Sequence, residues 1–203
     1  MRLPRFTLLV IASLLLGGLV TAAAAQDTNN DTGGEGGQKN APHLTLGDSD
    51  GSPGGNIVVP IYFAPSESVE VGELKFDINF VSRNLKYSSL KRGLAAESGN
   101  VDVHADLKEG KNDKGLETAT LTVVAAIAQP KPGQQGIPGG LLGYITLNVS
   151  DKAGPANITL RVTAQAAELG TKKPVPGLKT TDGQVDILAA GSEPLISCFF
   201  FTH

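Results

Sequence analysis

From Glu73 to Phe80 every even-numbered position is apolar and every odd one polar, so that Leu74, Phe76, Ile78 and Phe80 alternate with Glu73, Lys75, Asp77 and Asn79. A period of two belongs to a strand with one face in a core and the other in water. Short apolar runs of this kind recur from His43 onward, separated by Gly, Pro, Asn and Asp, and no window keeps a 3.6-residue period. The runs predict strands at 43–46, 56–63, 73–80, 85–90, 101–107, 118–127, 141–149, 157–164 and 184–188. Nine strands with turn signals between nearly all of them suit an all-β, two-sheet sandwich better than a barrel or a repeat array.

Parity assigns the faces. Leu74, Phe76, Ile78 and Phe80 should point inward with Val101, Val103, Ala105 and Leu107, with Ala119, Leu121, Val123 and Ala125, and with Ile158, Leu160 and Val162. Outward go Glu73, Lys75, Asp77 and Asn79, then Asp102, His104 and Asp106, then Thr118, Thr120 and Thr122. If those strands share a sheet, they build one polar, acid-tinted surface. Pro60, inside an apolar run, predicts an edge strand or a bulge, because proline cannot donate to a ladder.

The chain ends read differently. Arg2 and Arg5 precede an apolar stretch from Thr7 to Val20 and a small-residue run, Ala22 to Ala25, which is the pattern of a secretory signal peptide over residues 1–25. That stretch is shorter than the roughly 20 residues a spanning helix needs, so no membrane span is expected after cleavage. The protein is accordingly expected to be secreted, periplasmic or at the cell surface. Residues 26–41 are polar and rich in Gly, Asn and Asp, as a flexible linker is. The foldable domain is expected over 42–189 and a separate tail over 190–203, where Phe199, Phe200 and Phe201 follow the single Cys198. With one cysteine there is no internal disulfide, so stability must come from core burial.

Without residues 1–25 the chain keeps 15 basic against 20 acidic residues, a charge of −5. That balance argues against nucleic acid and anionic membranes as partners.

Chemistry is sparse. Asp48-Ser49-Asp50-Gly51-Ser52, laid on a calcium-loop pattern, puts Pro53 at the turn glycine and Val59 at the bidentate glutamate, so a turn between the first two strands is the expectation. Asp102-x-His104-x-Asp106 spaces three potential ligands by roughly 6.6 Å along one strand face, too far for the outer pair to chelate one ion unaided. There is no G-x-S-x-G and no distinctive acidic pair, which argues against an enzyme. No cofactor is expected. Trp is absent, and of Tyr62, Tyr87 and Tyr144, the candidate platforms for sugar, two lie in runs that look buried. Sequons stand at Asn30, Asn148 and Asn157.

The order of these features resembles a cohesin domain. The matching pieces are Gly55-Asn56-Ile57-Val58-Val59-Pro60-Ile61; Leu74 to Phe80 with Asn84-Leu85 and Gly93; Gly140-Leu141-Leu142-Gly143-Tyr144-Ile145-Thr146-Leu147-Asn148-Val149; Ala153-Gly154 with Ile158-Thr159-Leu160; and Asp182-Gly183-Gln184-Val185. The resemblance implies a nine-strand jelly-roll sandwich that binds a calcium-loaded dockerin, the calcium being on the partner, on one sheet face. It further implies a role in extracellular polysaccharide degradation or cell-surface assembly. Where dockerin-binding cohesins carry Tyr-Asp-Pro, this chain has Phe80-Val81-Ser82, and their aspartate is matched by Val81 or Ser82.

The expected partner-binding face is therefore Glu73, Lys75, Asp77, Asn79, Ser82, Asp102, His104, Asp106, Thr120 and Thr122. Its expected partner is a protein, in the first instance a dockerin-bearing enzyme. The competing class is a carbohydrate-binding module that holds a polysaccharide directly, and a third is a structural envelope domain without a ligand.

Overall fold

In a computed structural model of the chain, the described residues are 41–130 and 132–192. The expected signal peptide, the linker up to residue 40 and the tail beyond residue 192 lie outside them.

The elements run β1 (His43–Leu46), β2 (Ser49–Gly51), β3 (Asn56–Ala64), β4 (Val71–Val81), β5 (Leu85–Arg92), α1 (Leu94–Ser98), β6 (Asp102–Lys111), β7 (Glu117–Ala126), β8 (Gly140–Val149), β9 (Ala156–Glu168), β10 (Lys179–Thr181) and β11 (Gly183–Ile187). They form a five-stranded sheet in the order β10-β1-β3-β8-β5 and a six-stranded sheet in the order β2-β11-β9-β4-β7-β6. All nine predicted strands are present. Most steps along the chain cross from one sheet to the other, and the β6–β7 hairpin is the exception. Two three-residue strands, β2 and β10, join the nine by parallel pairing with β11 and β1.

The core is the meeting of two period-2 faces. Leu74, Phe76, Ile78 and Phe80 of β4 and Leu121 and Val123 of β7 are buried, as are Ile57, Val59, Ile61 and Phe63 of β3 and Ile145 and Leu147 of β8. A Phe76→Ala change would leave a cavity at this centre and costs about 3–5 kcal/mol.

Three expectations need correction. Leu107, expected inward, is 40% exposed. It lies on β6, an edge strand whose inner side here meets the rim of the other sheet, where Lys86 Nζ stands 3.3 Å from Glu109 Oε1. Ser49–Gly51, expected as a turn, pairs with β11 instead, and Asp48 Oδ1 accepts a hydrogen bond from Gln184 N at 2.8 Å. A side chain at Gly51 would stand 2.5 Å from Ile57 Cγ1, so glycine lets this short strand lie against β3. Tyr62 is 37% exposed and Tyr87 and Tyr144 are half-buried, so none of the three lies in the core.

Pro60 sits in a central strand rather than at an edge. Its carbonyl accepts from Gly47 N at 2.8 Å just beyond the end of β1, so the ladder forgoes only the return bond at its last rung. The expected bulge follows at once: Ile61 faces Gly143 and Tyr62 faces Leu141, leaving Leu142 as the extra residue of β8.

Candidate partner-binding face

Strand register lines the outer side chains of the six-stranded sheet into rows. Asp102, Ala126, Glu73 and Ala167 make one row across β6, β7, β4 and β9. The next three are His104-Val124-Lys75-Gln165, Asp106-Thr122-Asp77-Thr163 and Lys108-Thr120-Asn79-Arg161. Nine of the ten side chains expected on the partner face thus share one surface, since Glu73, Lys75, Asp77, Asn79, Asp102, His104, Asp106, Thr120 and Thr122 all point outward from it.

Cross-strand bonds hold the centre of this surface. Thr122 Oγ1 donates to Asp77 Oδ1 at 2.6 Å, and Thr120 Oγ1 donates to Asn79 Oδ1 at 2.7 Å. Each pair places a carboxylate or amide oxygen where its rotamer is fixed before any partner arrives, which lowers the ordering cost of binding. The hairpin that carries β6 is closed by Asn112, whose Oδ1 accepts from Lys114 N and Leu116 N, both at 3.0 Å.

Ser82 is the exception. It is 2% exposed, the one buried polar side chain of the described residues. The alternation of β4 runs on through Phe80, Val81 and Ser82, so Val81 points out and Ser82 points in. Val81, 39% exposed and opposite Thr118, occupies the outward position at this end of the face.

The face is not flat. Residues 171–178 rise beside β9, tied by the Ala167–Pro174 bridge and by Val175 N donating to Ala166 O at 2.9 Å. Between this loop and β4 lies a groove of about 530 Å³ whose walls include Glu73, Lys75, Gln165, Lys172 and Leu178. The outward residues of β9, Arg161, Thr163 and Gln165, follow from the same parity as Ile158, Leu160 and Val162. The wall at 171–178 carries no periodic pattern that could have announced it.

Metal ligation finds no support in these rows. Asp102, His104 and Asp106 face Ala126, Val124 and Thr122, which offer at most one hydroxyl. Among the described residues no group of three or more His, Cys, Asp or Glu side chains is placed to hold a metal ion, and no helix is long and apolar enough to cross a membrane. One titration is displaced: burial, and after it the charge of Asp106, raises the Tyr87 hydroxyl above its ordinary value of 10.0.

Two mixed sheets packed face to face, with a polar row-patterned surface on one of them, define a β-sandwich. Solved structures narrow the class to the cohesin fold. A cohesin–dockerin complex of Clostridium thermocellum matches at a TM-score of 0.58 and 17% identity, over 73% of this chain and 100% of the matched one. A cohesin of Acetivibrio cellulolyticus in complex with a dockerin matches at 0.56 and 18%, with the same coverage. A type I cohesin of Pseudobacteroides cellulosolvens matches at 0.54 and 17%, over 80% of this chain and 97% of that one. No protein-family model matches the sequence, and no curated protein does. The chain has a divergent cohesin fold.

Proposed function

We propose that this chain is a non-catalytic, exported binding module whose six-stranded sheet docks a protein partner of the dockerin type, within an extracellular assembly that acts on polysaccharides. The observation that carries the reading is the four-strand array of outward polar side chains, pinned at its centre by the Thr122–Asp77 and Thr120–Asn79 bonds. The fold supports it too, because similar structures include cohesins in complex with dockerins. Rows of mixed charge select among partners and govern the on-rate. Val81 in place of the family's aspartate directs that end of the face toward an apolar contact, so the partner would differ there from those of cohesins that carry Tyr-Asp-Pro.

The test is capture of a panel of calcium-loaded dockerins, and of the host secretome, by the immobilised chain. Reversing Asp77 and Asp102 to Lys abolishes capture, with an unchanged thermal melt showing that the sheet is intact. Chelating calcium also abolishes it, because the ion belongs to the partner, and leaves the melt of this chain alone. Capture that persists after the double reversal sinks the proposed face. Loss of secretome capture without binding of any dockerin keeps the face and sinks the dockerin class.

A further inference from the structure

The five strands of the other sheet, β10, β1, β3, β8 and β5, contain no Asp or Glu, and they carry Lys91 and Lys179 on the outer side, with Lys86 paired to Glu109 at the rim and Arg92 turned to donate to Ala96 O. The six strands facing them contain nine acidic and four basic residues. The net charge of the chain hides this segregation, which leaves one outer face basic on an acidic molecule.

That basic face is also where the exposed aromatic surface lies. Tyr144 stands between Lys91 on one side and Pro60 on the other, and Tyr62 lies two residues along β3 from Pro60. Tyr62 and Val58 are 37% and 51% exposed. Around them the register places hydroxyls and amides: Thr45 beside Tyr62, Thr146 beside Val58, and Asn148 between Asn56 and Lys86. Lys91 on β5 and Lys179 on β10 stand on the two edge strands of this sheet, four strand spacings and so about 19 Å or more apart.

We infer that the outer face of the five-stranded sheet binds an acidic polysaccharide, a chain of sugars carrying carboxylates. Two tyrosine rings offer apolar surface with a polar tip, as the face of a pyranose requires. The hydroxyls and amides match sugar hydroxyls, and lysines this far apart meet carboxylates spaced along one extended polymer rather than a single small anion. Charge complementarity sets the orientation, since the opposite sheet repels the same polymer. This surface is on the other side of the sandwich from the proposed protein-docking face, and neither reading depends on the other.

Native affinity electrophoresis in gels containing polygalacturonate tests it, with hydroxyethylcellulose as the neutral glycan and poly-aspartate as the polyanion without sugar. The expected result is retardation by polygalacturonate alone, weakened about tenfold or more by Lys91→Glu combined with Tyr144→Ala. Asp77→Lys, on the opposite sheet, leaves it in place. Lys91→Glu alters one exposed side chain and keeps the test readable should Tyr144→Ala fail to fold. The inference is overturned by an absence of retardation between about 0.01 and 0.1 M salt, by equal retardation in poly-aspartate, or by retardation that survives both substitutions. It is also overturned if sedimentation shows self-association that Lys91→Glu disperses, because the basic face would then serve a second copy of this chain.

Discussion

Gly136 and Gly115 both hold left-handed backbone, at φ +79° and +75°, yet only one is crowded. A Cβ at Gly136 would stand 2.8 Å from Val71 O and 2.9 Å from Val71 N, whereas nothing lies within 4 Å of one at Gly115. Gly115→Ala therefore meets the conformational cost alone, about 1–2 kcal/mol. Gly136→Ala adds the clash and displaces the loop whose next residue, Ile137, donates to Val71 O at 2.7 Å, for a total of about 3 kcal/mol or more. Urea titration of the two variants checks the difference, and equal losses would refute the crowding argument. Tyr87 makes a second prediction. Its raised pKa means that the folded state holds the proton more tightly than the unfolded chain, so its contribution is complete below the unfolded value of 10.0. That contribution is lost as pH climbs from there through the raised folded value. Tyr87→Phe should make stability less dependent on pH above 10, and Asp106→Asn should do so in part; a urea midpoint that falls as steeply in Tyr87→Phe as in the parent would contradict this.

At the scale of elements, β4 decides how the face ends. Because Ser82 is buried and Val81 is exposed, the two candidate matches to the family's aspartate differ sharply in what they tolerate. Val81→Asp puts a carboxylate in water beside Thr118 and leaves stability within about 0.5 kcal/mol. Ser82→Asp buries an unpaired charge and costs at least about 3 kcal/mol. Thermal melts of the pair separate the assignments, and a tolerated Ser82→Asp would mean that the strand turns before residue 82. The parity that settles this was legible: had the strand been extended past Phe80, Ser82 would have fallen on the inward side. The same alternation fixed the outward sets of β4, β6 and β7, because a side-chain period of two needs no knowledge of neighbours. What stayed illegible depends on contacts distant in sequence. That β9 pairs with β4, adding Thr163 and Gln165 to the face, is a long-range register that local pattern does not encode. Leu107 failed for a related reason, since its exposure follows from where the opposite sheet ends. β2 and β10 are too short to show a period, and α1 spans five residues, of which Ala95 and Ala96 are buried.

For the whole molecule, the two sheets make an electrostatic dipole out of a chain whose net charge is only −3, or −5 without residues 1–25. Packed sheets stand roughly 10 Å apart, and the screening length falls from about 30 Å at 0.01 M salt to about 10 Å at 0.1 M and about 3 Å at 1 M. At the lowest salt an anionic surface senses the entire protein and repels it. Once the screening length approaches the sheet separation, the same surface senses mainly the basic sheet turned toward it. At high salt it senses neither. Retention on a cation exchanger at pH 7 should accordingly rise and then fall as salt increases, with its maximum below about 0.1 M. Lys91→Glu should flatten the rise, while Asp77→Lys should raise retention most at the lowest salt, where the far sheet is still sensed, and change it little above about 0.1 M. Retention that declines steadily from the lowest salt, or none at all, would show that the sheets do not act as separate charges. The decisive comparison is between the two reversals, since a protein governed by net charge alone would respond to them only through the sign and size of the change in total charge.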